Sequence, residues 1–222
     1  MRLSSLLSRA LYHSFSAAVV AAAGLVLPAA AADYVWLSRD GARAVAQAGS
    51  LDAAQNNRAA APAPQLEAAR AFLVDGKDLP VMADGGAWYA AAAPRSDGDL
   101  RFTARAVGEQ GALLLYQARY GRAETKPAND LELVPTEAGG NTFRLFFKGR
   151  PVAASQVNVA TSEGWRRVLR PDADGAVTLA TPFSGLYVLE VTARVNGAAT
   201  IDGKQYEDVR HVATLSFDVP AR

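Results

Sequence analysis

No cysteine occurs among the 222 residues, which excludes structural disulfides, thiolate catalysis and every zinc centre built on sulfur. Histidine is almost as scarce, with His13 and His211 the only two. A hydrolytic triad would have to recruit one of them, and neither a G-x-S-x-G elbow nor a phosphate-binding glycine loop accompanies them. The carboxylates are scattered through turn-rich sequence and single out no pair suited to glycoside hydrolysis. No enzymatic activity is therefore expected. An excess of one charge is missing too. With 23 basic and 22 acidic residues the formal charge is +1, too small to gather nucleic-acid phosphates, so no nucleic-acid partner is expected.

What is present begins with a leader pattern. Arg2 and Arg9 precede an apolar stretch from Phe15 to Leu27, and Pro28 then breaks it just before Ala30, Ala31 and Ala32. The stretch is Ala-rich, interrupted by Gly24 and Pro28, and shorter than the roughly 20 apolar residues of a membrane span. Residues 1–32 read as a cleaved secretory signal rather than an anchor, with no membrane span left after cleavage. The mature chain then starts at Asp33 in the periplasm. An exported chain without disulfides must be held by burial alone, which calls for a sizeable core. Half of the residues are apolar, enough to build one.

Six Asp-Gly dipeptides punctuate the mature sequence, at Asp40, Asp75, Asp84, Asp97, Asp174 and Asp202. Asp-Gly supplies the positive φ angles of tight hairpin turns. Short stretches of period two lie between them. In 141–148, Phe143, Leu145 and Phe147 share one face and Arg144 and Lys148 the other, the pattern of a half-buried strand. In 186–195, Tyr187, Leu189 and Val191 face one way and Leu186 and Val188 the other, so this is expected to be a central strand. In 209–219, Val209, Ala213, Leu215, Phe217 and Val219 share a side. The apolar parity of 152–160 changes midway, which a bulge at Ser155 or Gln156 would produce.

The front half is less regular, with strands expected at 34–37, 79–83, 88–91, 100–106 and 112–119. Residues 50–64, Ala-rich with Pro62 and Pro64, read as an exposed loop. Residues 65–72 have the spacing of a short helix. The polar run 121–130 is the best internal boundary. The fold class expected is all-β: an Ig-like or prealbumin-like antiparallel β-sandwich in 127–222, preceded by a smaller irregular β region in 33–126.

Three segments, LELVPTEAGGNTFRLFFKGRPVAASQVNV (131–159), RPDADGAVTLATPFSGLYVLEV (170–191) and RHVATLSF (210–217), resemble the domain-of-unknown-function family 4198. GRAET (121–125) and the opening DYVWLSRDG (33–41) are also similar to it. The C-terminal pattern resembles transthyretin-like and carboxypeptidase-regulatory-like sandwiches as well. The family's members are periplasmic, and some are linked to nickel or cobalt uptake transporters. They often begin with histidine and carry further histidines in the front half. Here Asp33 stands first and the front half of the mature chain has no histidine. The metal role that the resemblance implies then falls to the amine and carboxylate of Asp33 and to His211, with nickel or cobalt as the ion.

Other residues invite a structural reading beside a functional one. His211 lies on the apolar side of its strand, where a partly buried ring bonded to a nearby carbonyl is expected ahead of a metal ligand. Asp172, Asp174 and Gly175 resemble the start of a calcium loop, but the closing glutamate is missing and a hairpin turn is expected. Trp165, followed by Arg166 and Arg167, suits either a partner-binding contact or a cap on the sandwich end with snorkelling arginines. Two functional expectations follow. One is a non-enzymatic periplasmic accessory to nickel or cobalt uptake, partnered by a membrane metal transporter or another envelope protein. The other is a protein- or glycan-interaction module with no metal role.

Overall fold

The computed structural model describes residues 34–41, 43–51, 65–84, 87–91, 98–108, 111–195 and 197–221. The expected signal 1–32, Asp33 and most of the expected loop 50–64 lie outside them. In chain order the strands are β1 (Tyr34–Asp40), β2 (Arg43–Gly49), β3 (Glu67–Phe72), β4 (Asp78–Leu79), β5 (Val81–Asp84) and β6 (Ala87–Ala91). There follow β7 (Leu100–Val107), β8 (Leu113–Tyr120), β9 (Leu131–Pro135), β10 (Thr142–Phe147), β11 (Arg150–Val152) and β12 (Val157–Thr161). The last six are β13 (Arg166–Leu169), β14 (Ala176–Thr178), β15 (Gly185–Val195), β16 (Ala199–Ile201), β17 (Lys204–Tyr206) and β18 (Val209–Val219). The protein is all-β, consistent with a β-sandwich. Among the described residues no helix is long and apolar enough to cross a membrane.

An eight-stranded sheet ordered β13-β12-β15-β18-β8-β7-β3-β4 forms the middle of the structure. All its pairings are antiparallel except β18 with β8, which run parallel from Val209 beside Leu113 to Ser216 beside Tyr120. Because successive side chains on a strand point to opposite faces, β15 and β18 serve two cores at once. Tyr187, Leu189, Val191, Ala213, Leu215 and Phe217 enter one core with Leu133, Phe143, Leu145 and Val159. Val188 and Val212 enter the other with Trp36, Leu37, Phe102 and Tyr116. The first core is covered by β9, β10, β11 and β14, and the second by the sheet ordered β1-β2-β6-β5. The double-sided apolar pattern of 186–195 is thus the signature of a strand with a sheet on each side.

This layering changes how the N-terminal strands relate to the rest. Residues on both sides of the polar run 121–130 contribute strands to the central sheet, and the described residues group as one compact unit. Two expectations of local structure are revised. Residues 67–72 form a strand, not a helix, with a register shift between Glu67 and Arg70 where Ala68 takes a φ of 52°. The parity change in 152–160 is not a bulge. Between β11 and β12 the chain leaves one sheet and joins another, so the inward direction reverses.

The dipeptide turns follow their chemistry. Asp202 and Gly203, at φ 50° and 77°, make the two-residue turn between β16 and β17. Lys148 and Gly149, at 48° and 74°, do the same between β10 and β11. Asp172 Oδ1 accepts the backbone N–H groups of Asp174 and Ala176, both at 2.9 Å, so that carboxylate organises a turn. The turn joins β13 to β14, which lie in different sheets, so it closes no hairpin.

Where 121–130 crosses the end of the central sheet, an ionic cluster is buried. Arg101 and Arg119 are both 0% exposed and pair directly across β7 and β8. Arg119 donates to Glu132 at 2.9 Å and to Asp99 at 3.0 Å, while Arg101 donates to Glu132 at 3.1 Å and also pairs with Glu124. The carboxylates hold the crossing segment through its backbone. Asp99 accepts from Ala123 at 2.9 Å, and Glu132 accepts from Ala128 at 2.8 Å and Asn129 at 2.7 Å. Gly121, at φ 110°, permits this approach, since a Cβ there would collide with the Asp99 carboxylate.

Candidate functional site

At one end of the core beneath β10, the two sheets separate and leave a cleft of about 760 Å³, within the range of small-ligand sites. One wall comes from β9, β10 and the chain after β11, with Leu131, Leu145, Phe147 and Ala154. The opposite wall comes from β15 and β18, with Val191, Val195, Val209 and His211. The β16–β17 hairpin supplies a third side through Ala199, Thr200 and Ile201. The alternation of β10 turns Leu145 and Phe147 inward, and the tight turn that follows sets Lys148 at the rim.

His211 is 4% exposed and stands edge-on to Phe147, with ring centres 5.1 Å apart. Its Nδ1 is buried without a hydrogen-bond partner, so the carbonyl partner expected from the sequence is not there. Burial pushes its pKa below the ordinary imidazole value; Asp130 opposes that shift and Lys148 adds to it. Burial thus favours the neutral ring. Lys148 is exposed, with its ammonium 5.6 Å from the Phe147 ring centre. Arg194, also at the cleft, is held by Asp208 at 2.8 Å, and Asp208 in turn pairs with Arg210.

The structure separates the residues singled out from sequence. His211 lines the cleft. Trp165 lies far along the same core, edge-on to Phe183 at 6.0 Å and to Tyr187 at 6.3 Å. It is half-buried and packs on the core, the placement of a cap. Arg166 and Arg167 are exposed on β13, an edge strand of the central sheet. Charged residues there oppose strand addition by another chain. Asp33 lies outside the described residues. Among the described residues no group of three or more His, Asp or Glu side chains is placed to hold a metal ion.

Sequence reasoning passed over Phe147, Lys148 and the β16–β17 hairpin as site residues. Their signal was slight: a Lys-Gly turn after an apolar strand, and a hairpin whose few apolar residues are Ala199, Ile201 and Tyr206. Compared with known proteins, the chain matches no family model and no curated sequence at a significant level.

Proposed function

We propose that this is a non-enzymatic binding protein of the bacterial cell envelope, exported through its N-terminal signal, whose ligand site is the cleft beside His211. One observation carries the reading: an apolar cleft of about 760 Å³ with a few polar groups at its border, the usual makeup of a small-molecule site. The leader pattern of residues 1–32 supports the compartment. The test uses N-phenyl-1-naphthylamine, a neutral probe that brightens in apolar surroundings. The purified protein should bind it saturably at one site. Ala154→Trp, which fills the cleft from the chain after β11, should abolish that binding while leaving the melting temperature within a few degrees. Absence of saturable binding, or binding indifferent to Ala154→Trp, overturns the reading.

A second reading, an accessory to nickel or cobalt uptake working with a membrane transporter, is favoured by the neutral imidazole of His211, the form that binds metal, together with the family resemblance. One imidazole is a weak transition-metal site without further nitrogen or sulfur ligands. Calorimetric titration with nickel and cobalt chlorides decides it. Heat at micromolar metal that vanishes in His211→Ala supports the reading, and no heat ends it.

A further inference from the structure

We propose that the cleft takes a single-chain amphiphile with an anionic head, its apolar tail between the sheets and its carboxylate or phosphate at Lys148. The inference rests on the cleft being the ligand site, and the composition of the walls carries it further. The interior surface is supplied by Leu131, Leu145 and Phe147 on one side, Val191 and Val209 on the other, and Ile201 on the hairpin. A sugar would find few hydrogen-bonding groups at that depth, whereas an acyl chain needs none.

The charged groups select the head. Among the described residues the lining includes Lys148 and Arg194 and no aspartate or glutamate. Arg194 is already paired with Asp208, but Lys148 has no carboxylate partner among the described residues. Asp130, whose carbonyl accepts the Lys148 N–H, is exposed and stands outside the lining. A cationic head would be repelled by the Lys148 ammonium, and an anionic one would pair with it. His211, 4% exposed with Nδ1 unsatisfied, adds a neutral polar side chain to an otherwise apolar wall.

Displacement of N-phenyl-1-naphthylamine by four twelve-carbon competitors, each below its micelle concentration, tests the head. Dodecanoate and dodecyl phosphate should displace the probe at concentrations about five- to ten-fold lower than dodecylamine, the size of one partly exposed charge pair. Dodecanol should fall between them. In Lys148→Glu, with displacement referred to that variant's own probe affinity, the order should reverse. A stronger effect of dodecanoate than of dodecyl phosphate identifies a fatty-acid type of ligand, and the opposite order a phosphate head. Equal displacement by dodecanoate and dodecylamine, or an order unchanged in Lys148→Glu, overturns the anionic head and leaves the cleft reading intact. Failure of the probe to bind overturns both.

Discussion

Two guanidinium groups face each other on β7 and β8, an arrangement that like charges resist. Asp99, Glu124 and Glu132 reverse the sign of that contact, and the backbone N–H groups of 123, 128 and 129 occupy further carboxylate oxygens. Removing one partner strands the others in a dry site. Arg119→Leu should cost about 3–5 kcal/mol, measured by urea unfolding, because Asp99 and Glu132 each lose a donor in a buried site. A loss under about 1 kcal/mol would mean that water reaches the cluster. His211 gives a second expectation. Its folded pKa is lowered by burial, so below the ordinary imidazole value the unfolded chain binds a proton that the folded one refuses. Stability contributed by the neutral ring is present above about pH 6.5 and declines as the pH falls through that value. In His211→Leu that part of the slope should disappear, as read from melting temperatures between pH 5 and pH 8. The burial of His211 was legible from the apolar side of its strand, but the ionic cluster was not. Arg101 and Arg105 alternate with Phe102, Ala104 and Ala106, which reads as a solvent face. The available clue was Glu132, a lone acid within the apolar run of β9, all five residues of which are buried.

At the scale of strands, β1 is an edge of its sheet, paired among the described residues with β2 alone. Its carbonyls at Val35 and Leu37 are taken by hydroxyls of β18, Thr214 and Ser216, each at 2.6 Å. Two side chains spaced by two residues thus satisfy two carbonyls spaced by two, so the layers are joined by hydrogen bonds as well as by apolar contact. Replacing both, as Thr214→Val with Ser216→Ala, leaves buried acceptors without donors and should cost about 2–4 kcal/mol in chemical unfolding. A change below about 0.5 kcal/mol would show the carbonyls finding water. Tyr187 makes a comparable tie on the other face. Its hydroxyl donates to Phe183 O at 2.9 Å and accepts from Phe183 N at 3.0 Å, bonding back to backbone four residues upstream as the tyrosine corner of sandwich domains does. Strands with strong alternation, such as β10, β15 and β18, were legible in the sequence. β3 was not, because the alanines of Glu67–Phe72 fit helical and extended spacing equally and its partners lie some 30 residues away at Arg101 and Thr103.

For the whole molecule, the two cores share β15 and β18, so neither can melt without exposing the other's wall. Unfolding of 34–222 should be one transition. Trp36 and Trp88 report the core under β1, and Trp165 the core under β10. Fluorescence melts of Trp165→Phe and of the double variant Trp36→Phe, Trp88→Phe should each superimpose on the far-ultraviolet dichroism melt of the same protein. Separated midpoints would show two independent domains. The all-β class was readable from turns and alternation, since those are local. The relation of the first half to the second was not, because the parallel β8–β18 contact joins residues nearly a hundred positions apart and leaves no periodic trace.

That same contact has a temporal meaning. β18 is the keystone between β15 and β8, so a chain made head first leaves β8 with an open flank until β18 arrives. Closure of the central sheet is thus a late event in the making of the chain.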